Sequence, residues 1–165
     1  MNNIPMKKRL LELLVDYVFI VAYLLLLLFI NFGISLFIFK GIPEYTEIQA
    51  QLIATFFSVL PIMLIFSYLD YFKKGSIGKR VAGLKLVYSN YSFSSSLLRN
   101  MIKFLPWQLG HIGVIHGMYS EFDMSSLILA NGGILLAFVL LLMGLFRKDQ
   151  RHLGDLIAGT KVELQ

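Results

Sequence analysis

Arg9, Glu12 and Asp16 fall at i, i+3 and i+7, a spacing that sets all three on one face of a helix. Asp16 then lies about two turns into a long apolar run. An ionised carboxylate at mid-bilayer costs roughly 2.5–3.5 kcal/mol on insertion scales, and less near the interface, so Asp16 needs a partner. Two chemistries suit it. Paired with Arg9, it is a structural ion pair that caps the helix and fixes its depth. Facing the protein interior, it is a site for a monovalent cation or a proton. A second constellation is Lys103, Trp107 and His111, spaced i, i+4 and i+8, with Arg99 and Gln108 beside them. So many polar groups on one helix should face the bundle, where Asp16 could be their counter-charge. His111 titrates near neutral pH and could relay a proton; a hydrogen-bonded structural histidine is the plainer reading.

Gly75-Ser-Ile-Gly78-Lys79-Arg80 is a G-x-x-G-K-R segment. It lacks the spacing of a phosphate loop and follows an apolar run rather than a strand, so nucleotide binding is not expected. It reads as a solvated basic turn. Alternatively, its glycine amides with Lys79 and Arg80 hold a lipid phosphate or a partner's carboxylate. Asp16 and Asp155 could be set against each other as a membrane aspartyl dyad, but no further apolar helix carries Asp155 into the bilayer. There is no HExxH, no Ser/His/Asp spacing and no metal-ligand cluster. Cysteine is absent, which excludes disulfides and thiolate chemistry. No enzymatic activity, cofactor or metal is expected.

These residues sit in a chain of 165 residues that is 57% hydrophobic and only 15% charged, against about a quarter charged in soluble domains. Such a composition predicts a single all-α membrane domain, residues 1–165, with four transmembrane helices at about 10–39, 52–71, 97–119 and 127–146. A loop, 72–96, and a tail, 147–165, complete it. The first apolar stretch, Val18 to Phe39, makes about 33 Å of helix, enough for a hydrocarbon core of about 30 Å. It is too long for a cleaved signal peptide and no small-x-small site follows it. Pro61 should kink the second span, leaving a carbonyl for a neighbouring helix to satisfy. The third is the odd one: its charge-free part, Phe104–Tyr119, is about 24 Å as a helix, so it is either a polar, bundle-facing span whose Arg99 and Lys103 reach the interface, the favoured reading, or a partly interfacial helix.

On this layout every Lys and Arg except Lys40 falls on one side, which places both termini in the cytoplasm of a multi-pass cell-membrane protein. The net charge of +5 then serves orientation and attraction to anionic lipid headgroups, and nucleic acid is not an expected partner. Two segments, 83–88 and 159–164, have strand character. The economical expectation pairs them in a small cytoplasmic cap.

The ordered set of Arg9 with Asp16, the Gly75–Leu86 block and Arg151-His152-Leu-Gly-Asp155-Leu-Ile-Ala-Gly-Thr-Lys-Val resembles the RDD family of bacterial membrane proteins. The resemblance covers essentially the whole chain. It implies Arg9, Asp16 and Asp155 as the named arginine and aspartates, and Arg99-Asn100 as the pair opening the third span. One departure is the His152–Asp155 spacing, wider than the family pattern. The resemblance implies transport, with sodium/proton antiport as one candidate activity; which of Na+, K+ or H+ is carried is left open. Another is a non-transporting role as a membrane-protein partner or an immunity or stress-resistance factor, in which the charges are architectural. If the chain is an antiporter, its short length implies a homodimer.

Overall fold

The computed structural model describes residues 4–165. Its elements run α1 (Met6–Phe37), α2 (Glu47–Ala54), a π-helical turn (Thr55–Val59), α3 (Leu60–Phe72), α4 (Ile77–Val81), β1 (Leu84–Tyr88), α5 (Phe93–Tyr119), α6 (Met124–Phe146), α7 (Leu153–Ile157) and β2 (Thr160–Leu164). Among the described residues, three helical stretches are long and apolar enough to cross a membrane: α1, the continuous Glu47–Phe72 and α6. The helix α5 has 27 residues but is too polar to count with them. The expected strands pair antiparallel, Leu84 opposite Leu164 and Tyr88 opposite Thr160.

The second apolar run holds its proline at the first turn of α3, just past the π-helical turn. Pro61 has no N–H to give the carbonyl four residues back, that of Phe57. The Tyr23 hydroxyl of α1 donates to that oxygen at 2.7 Å. The freed carbonyl is thus satisfied by a neighbouring helix, and the same bond ties α1 to the second run.

Helices α5 and α6 cross closely because glycines let their backbones meet. A Cβ on Gly113 would lie 2.8 Å from the Ala130 Cα, and one on Gly133 would lie 2.7 Å from the Pro106 carbonyl oxygen. Aromatic and aliphatic groups fill the bundle between α1, α3 and α5: Ile62, Phe66 and Phe104 are buried, with Phe19, Tyr23 and Trp107 against them. A second apolar cluster, Ile4, Ala82, Leu84, Leu86 and Val162, backs the sheet.

The two halves of the chain repeat one plan. Each has apolar helices, then a five-residue helix, then a glycine at positive φ (Gly83 at 67°, Gly159 at 64°), then a strand. Ile77-Gly-Lys-Arg-Val-Ala-Gly-Leu-Lys aligns with Leu153-Gly-Asp-Leu-Ile-Ala-Gly-Thr-Lys without a gap. The strand register obeys the same relation, with the equivalent residues Leu86 and Val162 paired at the centre of the ladder. A local two-fold therefore relates the halves at this end of the molecule.

Candidate functional site: a buried chain of alternating charges

Between the bundle core and the sheet lies a layer of ionised side chains. The helix phases put it there. One turn toward the sheet from Phe19 is Asp16, from Phe66 is Asp70, and from Phe104 is Asn100, with Arg99 beside it. Helix α1 shows the inversion most plainly: of its 32 residues, the buried ones are Arg9, Glu12 and Asp16, while its leucines and phenylalanines face outward.

The charges alternate along one continuous path. Arg9 Nη1 donates to Glu12 at 3.0 Å, Glu12 meets Lys79 Nζ at 3.2 Å, and Lys79 meets Asp70 at 3.4 Å. Asp70 takes Arg99 Nη1 at 2.7 Å, and Arg99 Nε donates to Asp155 at 2.7 Å. A side branch holds Asp16, 3.6 Å from Lys103 Nζ. Four cations and four carboxylates thus balance in a region where an unpaired charge would be costly to bury. The path joins α1, α4, α3, α5 and α7, five helices that meet at this end.

Asp70, fully buried, is the centre. Besides its two cations it accepts from Asn100 Nδ2 at 3.1 Å. Sequence reasoning missed it because it falls just beyond the apolar run Leu52–Leu69. The available signal was an acid placed directly on the end of a span, four residues after the core Phe66.

Asp16 does not pair with Arg9, as one sequence reading had it. Its carboxylate accepts from Ser76 Oγ and from the Gly78 amide, both at 2.8 Å, with Lys103 beyond. Arg9 turns the other way, to Glu12 and to the Gln150 carbonyl at 2.8 Å. The physical reason is reach. One turn suffices for Arg9 to meet Glu12, whereas the α4 amide is fixed against Asp16 by the Gly78 contact. The Gly75–Arg80 segment is therefore neither wholly a solvated turn nor a phosphate holder: Gly78 and Lys79 are buried against this chain's own carboxylates, and Arg80 stays exposed. Gly75 makes the turn before α4 at φ 155°.

Asp155 is buried too, though it follows the last long helix. The fold returns the tail under the bundle and sets this carboxylate on Arg99, with Thr160 Oγ1 donating at 2.7 Å. Asp155 does not form a dyad with Asp16. His111 stands apart from the charges, with Nε2 3.4 Å from Ser58 Oγ. Asn100 is buried and bonded to Asp70 and to the Ser96 carbonyl.

The local two-fold gives this layer its logic. Lys79 on α4 reaches Glu12 on α1; its counterpart Asp155 on α7 reaches Arg99 on α5. A Cβ on Gly78 would strike the Glu12 carbonyl oxygen, and one on its counterpart Gly154 would lie 2.7 Å from that of Arg99. The same docking joint occurs twice with the signs of its ion pair exchanged.

Three groups in the cap show the electrostatics. Burial pushes the Lys79 ammonium down, but Asp70 and Glu12 hold it above the ordinary lysine value. Burial pushes the Asp155 carboxyl up, and Arg99 more than offsets this, holding it well below the carboxylate range. His152 is lowered to about 3 by burial and by Arg99. Its Nδ1 accepts from the Gly154 amide at 3.0 Å, and its Nε2 lies 3.2 Å from both Asp155 Oδ2 and Arg99 Nη2.

A histidine held neutral by the fold binds a proton more readily when unfolded. Between about pH 3 and pH 6.5 the unfolded chain therefore holds more protons at this site, and stability falls as pH falls through that window. Thermal unfolding from pH 7 to pH 5 should show a declining midpoint. In His152→Gln the midpoint should be lower at pH 7 and its decline shallower.

The RDD family model matches residues 5–159. The chain belongs to the RDD family. No curated protein and no solved structure matches it. With three helices apolar and long enough to cross, this RDD protein is a membrane protein. Arg9, Asp16 and Asp155, the residues that the resemblance singled out, all lie in the charge layer, along with Arg99 and Asn100.

Proposed function

We propose that this RDD protein is a four-crossing cell-membrane protein, both termini cytoplasmic, that acts as a non-transporting partner of another membrane-embedded helix, with its charges serving as architecture. The observation that carries the reading is that each carboxylate of the layer is already committed to partners in the same chain at 2.7–3.6 Å. The commitments run between elements, so they lock the cap onto the bundle. A second support is α1, whose outer half sets Leu24, Leu27, Leu28 and Ile34 along a groove of about 450 Å³ shared with Ile53 of α2 and Phe57 of the π-helical turn. That groove is an apolar seat for a helix of a second copy or of another protein. The fourth crossing is α5: its polar groups face α2 and the π-helical turn, as in the 2.9 Å bond from Gln108 to Thr55, so lipid need not meet them.

The second reading is monovalent cation/proton exchange. One observation favours it: the Asp16–Lys103 pair is the longest of the layer, and the Lys103 side chain is 23% exposed. A small cation could displace an ammonium held that loosely. Reconstitution with an imposed proton gradient separates the two. Under the first reading, folded wild type does not collapse the gradient with sodium, potassium or lithium, and Asp16→Asn lowers the thermal midpoint. A cation-dependent collapse, lost in a well-folded Asp16→Asn protein, would overturn it in favour of exchange.

A further inference from the structure

Beside the charge layer, a crevice of about 70 Å³ opens between the sheet-side ends of α1 and α6. One wall is apolar: Leu13 of α1 with Leu140, Leu141 and Leu145 of α6. The other carries Arg9, Lys103 and His152. Both cations have unused donors. Arg9 gives one N–H of each terminal nitrogen, to Glu12 and to Gln150, which leaves the second N–H of each, and its unpartnered Nε is buried. Lys103 makes no hydrogen bond among the described residues. Its ammonium lies 3.6 Å from Asp16 and 4.4 Å above the Phe66 ring. The carboxylate on this wall, Glu12, is already shared between Arg9 and Lys79.

Surplus cationic donors behind an apolar lip, at the end of two apolar helices, match an anion that arrives attached to hydrocarbon. We propose that this crevice binds the phosphate of an anionic phospholipid of the cytoplasmic leaflet. Arg9 and Lys103 donate to its oxygens, and the leucines of α1 and α6 pack along its acyl chain. The volume is about that of two water molecules, so phosphate oxygens enter while the rest of the headgroup stays outside. Guanidinium and ammonium donors to phosphate are charge-assisted in either case. The preference for an anionic over a zwitterionic lipid comes from the choline ammonium, a fixed positive charge that the zwitterionic lipid would hold at a mouth lined by Arg9 and Lys103. The inference rests on the proposed membrane orientation and is independent of whether the protein transports or has a protein partner.

Gly144 provides a clean block. It lines the crevice, and a Cβ placed on it meets nothing within 4 Å, so Gly144→Leu enters the crevice from the apolar wall with room for its first carbon. Leu141→Trp narrows it from an exposed position on the same helix. The full chain would be held in nanodiscs of phosphatidylcholine, alone or with phosphatidylglycerol, and lipid retention counted by native mass spectrometry with thermal midpoints alongside. Wild type should retain phosphatidylglycerol about tenfold over phosphatidylcholine, the order of factor that attraction of one or two basic side chains to net lipid charge supplies. Both variants should lose that preference while keeping the wild-type midpoint in pure phosphatidylcholine. The Lys73→Gln/Lys74→Gln protein, which lowers surface charge away from the crevice, should keep it. Inorganic phosphate added to phosphatidylcholine discs is the other arm: an equal stabilisation by it would identify free phosphate as the ligand and overturn the lipid assignment. Equal retention of the two lipids by wild type, or a preference unchanged in either folded variant, would overturn the site.

Discussion

Asp70→Asn is expected to destabilise this protein by about 3–5 kcal/mol, the usual cost of removing one partner from a buried ion pair. Asp70 is fully buried and is the anion that Lys79 and Arg99 share. Asparagine keeps the shape and the bond to Asn100 but leaves the layer with one uncompensated positive charge. Thermal unfolding in detergent, with a monodisperse peak as the folding check, measures the loss. Neutrality itself can be tested by adding Lys79→Met, which removes the extra positive charge. The double variant should be more stable than the sum of the two single losses predicts, because each single change strands an opposite charge that the double change does not. A loss under about 0.5 kcal/mol for Asp70→Asn, the range of ordinary surface changes, would show that the layer is not held by charge balance.

Gly78→Ala should come close to that effect from one added methyl group. The new Cβ would strike the Glu12 carbonyl oxygen and lie 2.7 Å from Asp16 Oδ1. Relief requires α4 to move off α1, which breaks the 2.8 Å bond from the Gly78 amide to Asp16. Overpacking costs about 1–3 kcal/mol, and a buried acceptor stripped of its donor a further 1–3 kcal/mol or so. The local two-fold adds a demand: Gly154→Ala, whose Cβ would lie 2.7 Å from the Arg99 carbonyl oxygen, should behave alike. Gly33→Ala is the control. Nothing lies within 4 Å of its added carbon, so only the helix-propensity gain remains, up to about 1 kcal/mol. Thermal midpoints of the three proteins should separate Gly33→Ala from the other two. If Gly78→Ala matched Gly33→Ala, the tight seating of α4 on α1 would be wrong.

Both predictions concern joints between segments far apart in the chain, and that explains what could be read from sequence. The membrane character came from composition and from apolar runs long enough to cross, because a bilayer sorts residues by side chain alone. The strand pair was legible, with ends one residue off at 84–88 and 160–164, because two short apolar-alternating segments had few other ways to satisfy their backbones. The placement of Arg9, Glu12 and Asp16 on one buried face followed from helical period. The repeated Gly-x-x-x-Ala-Gly-x-Lys pattern was also present in the sequence, and aligning the chain with itself would have found it.

Which charge meets which was decided only by the tertiary structure. Helical period tells which face a side chain is on, but attraction between ions has no direction and does not select among several opposite charges. Arg9 had Glu12 and Asp16 in reach along its own helix, and Asp16 had Arg9, Arg99 and Lys103 as candidates. The choice was made by contacts between backbones: the Gly78 amide seated on α1 claimed Asp16, and the tail folding back under α5 delivered Asp155 to Arg99. Asp70 became the centre for the same reason, since a carboxylate at the end of one apolar run acquires its meaning only when α4 and α5 bring two cations to it.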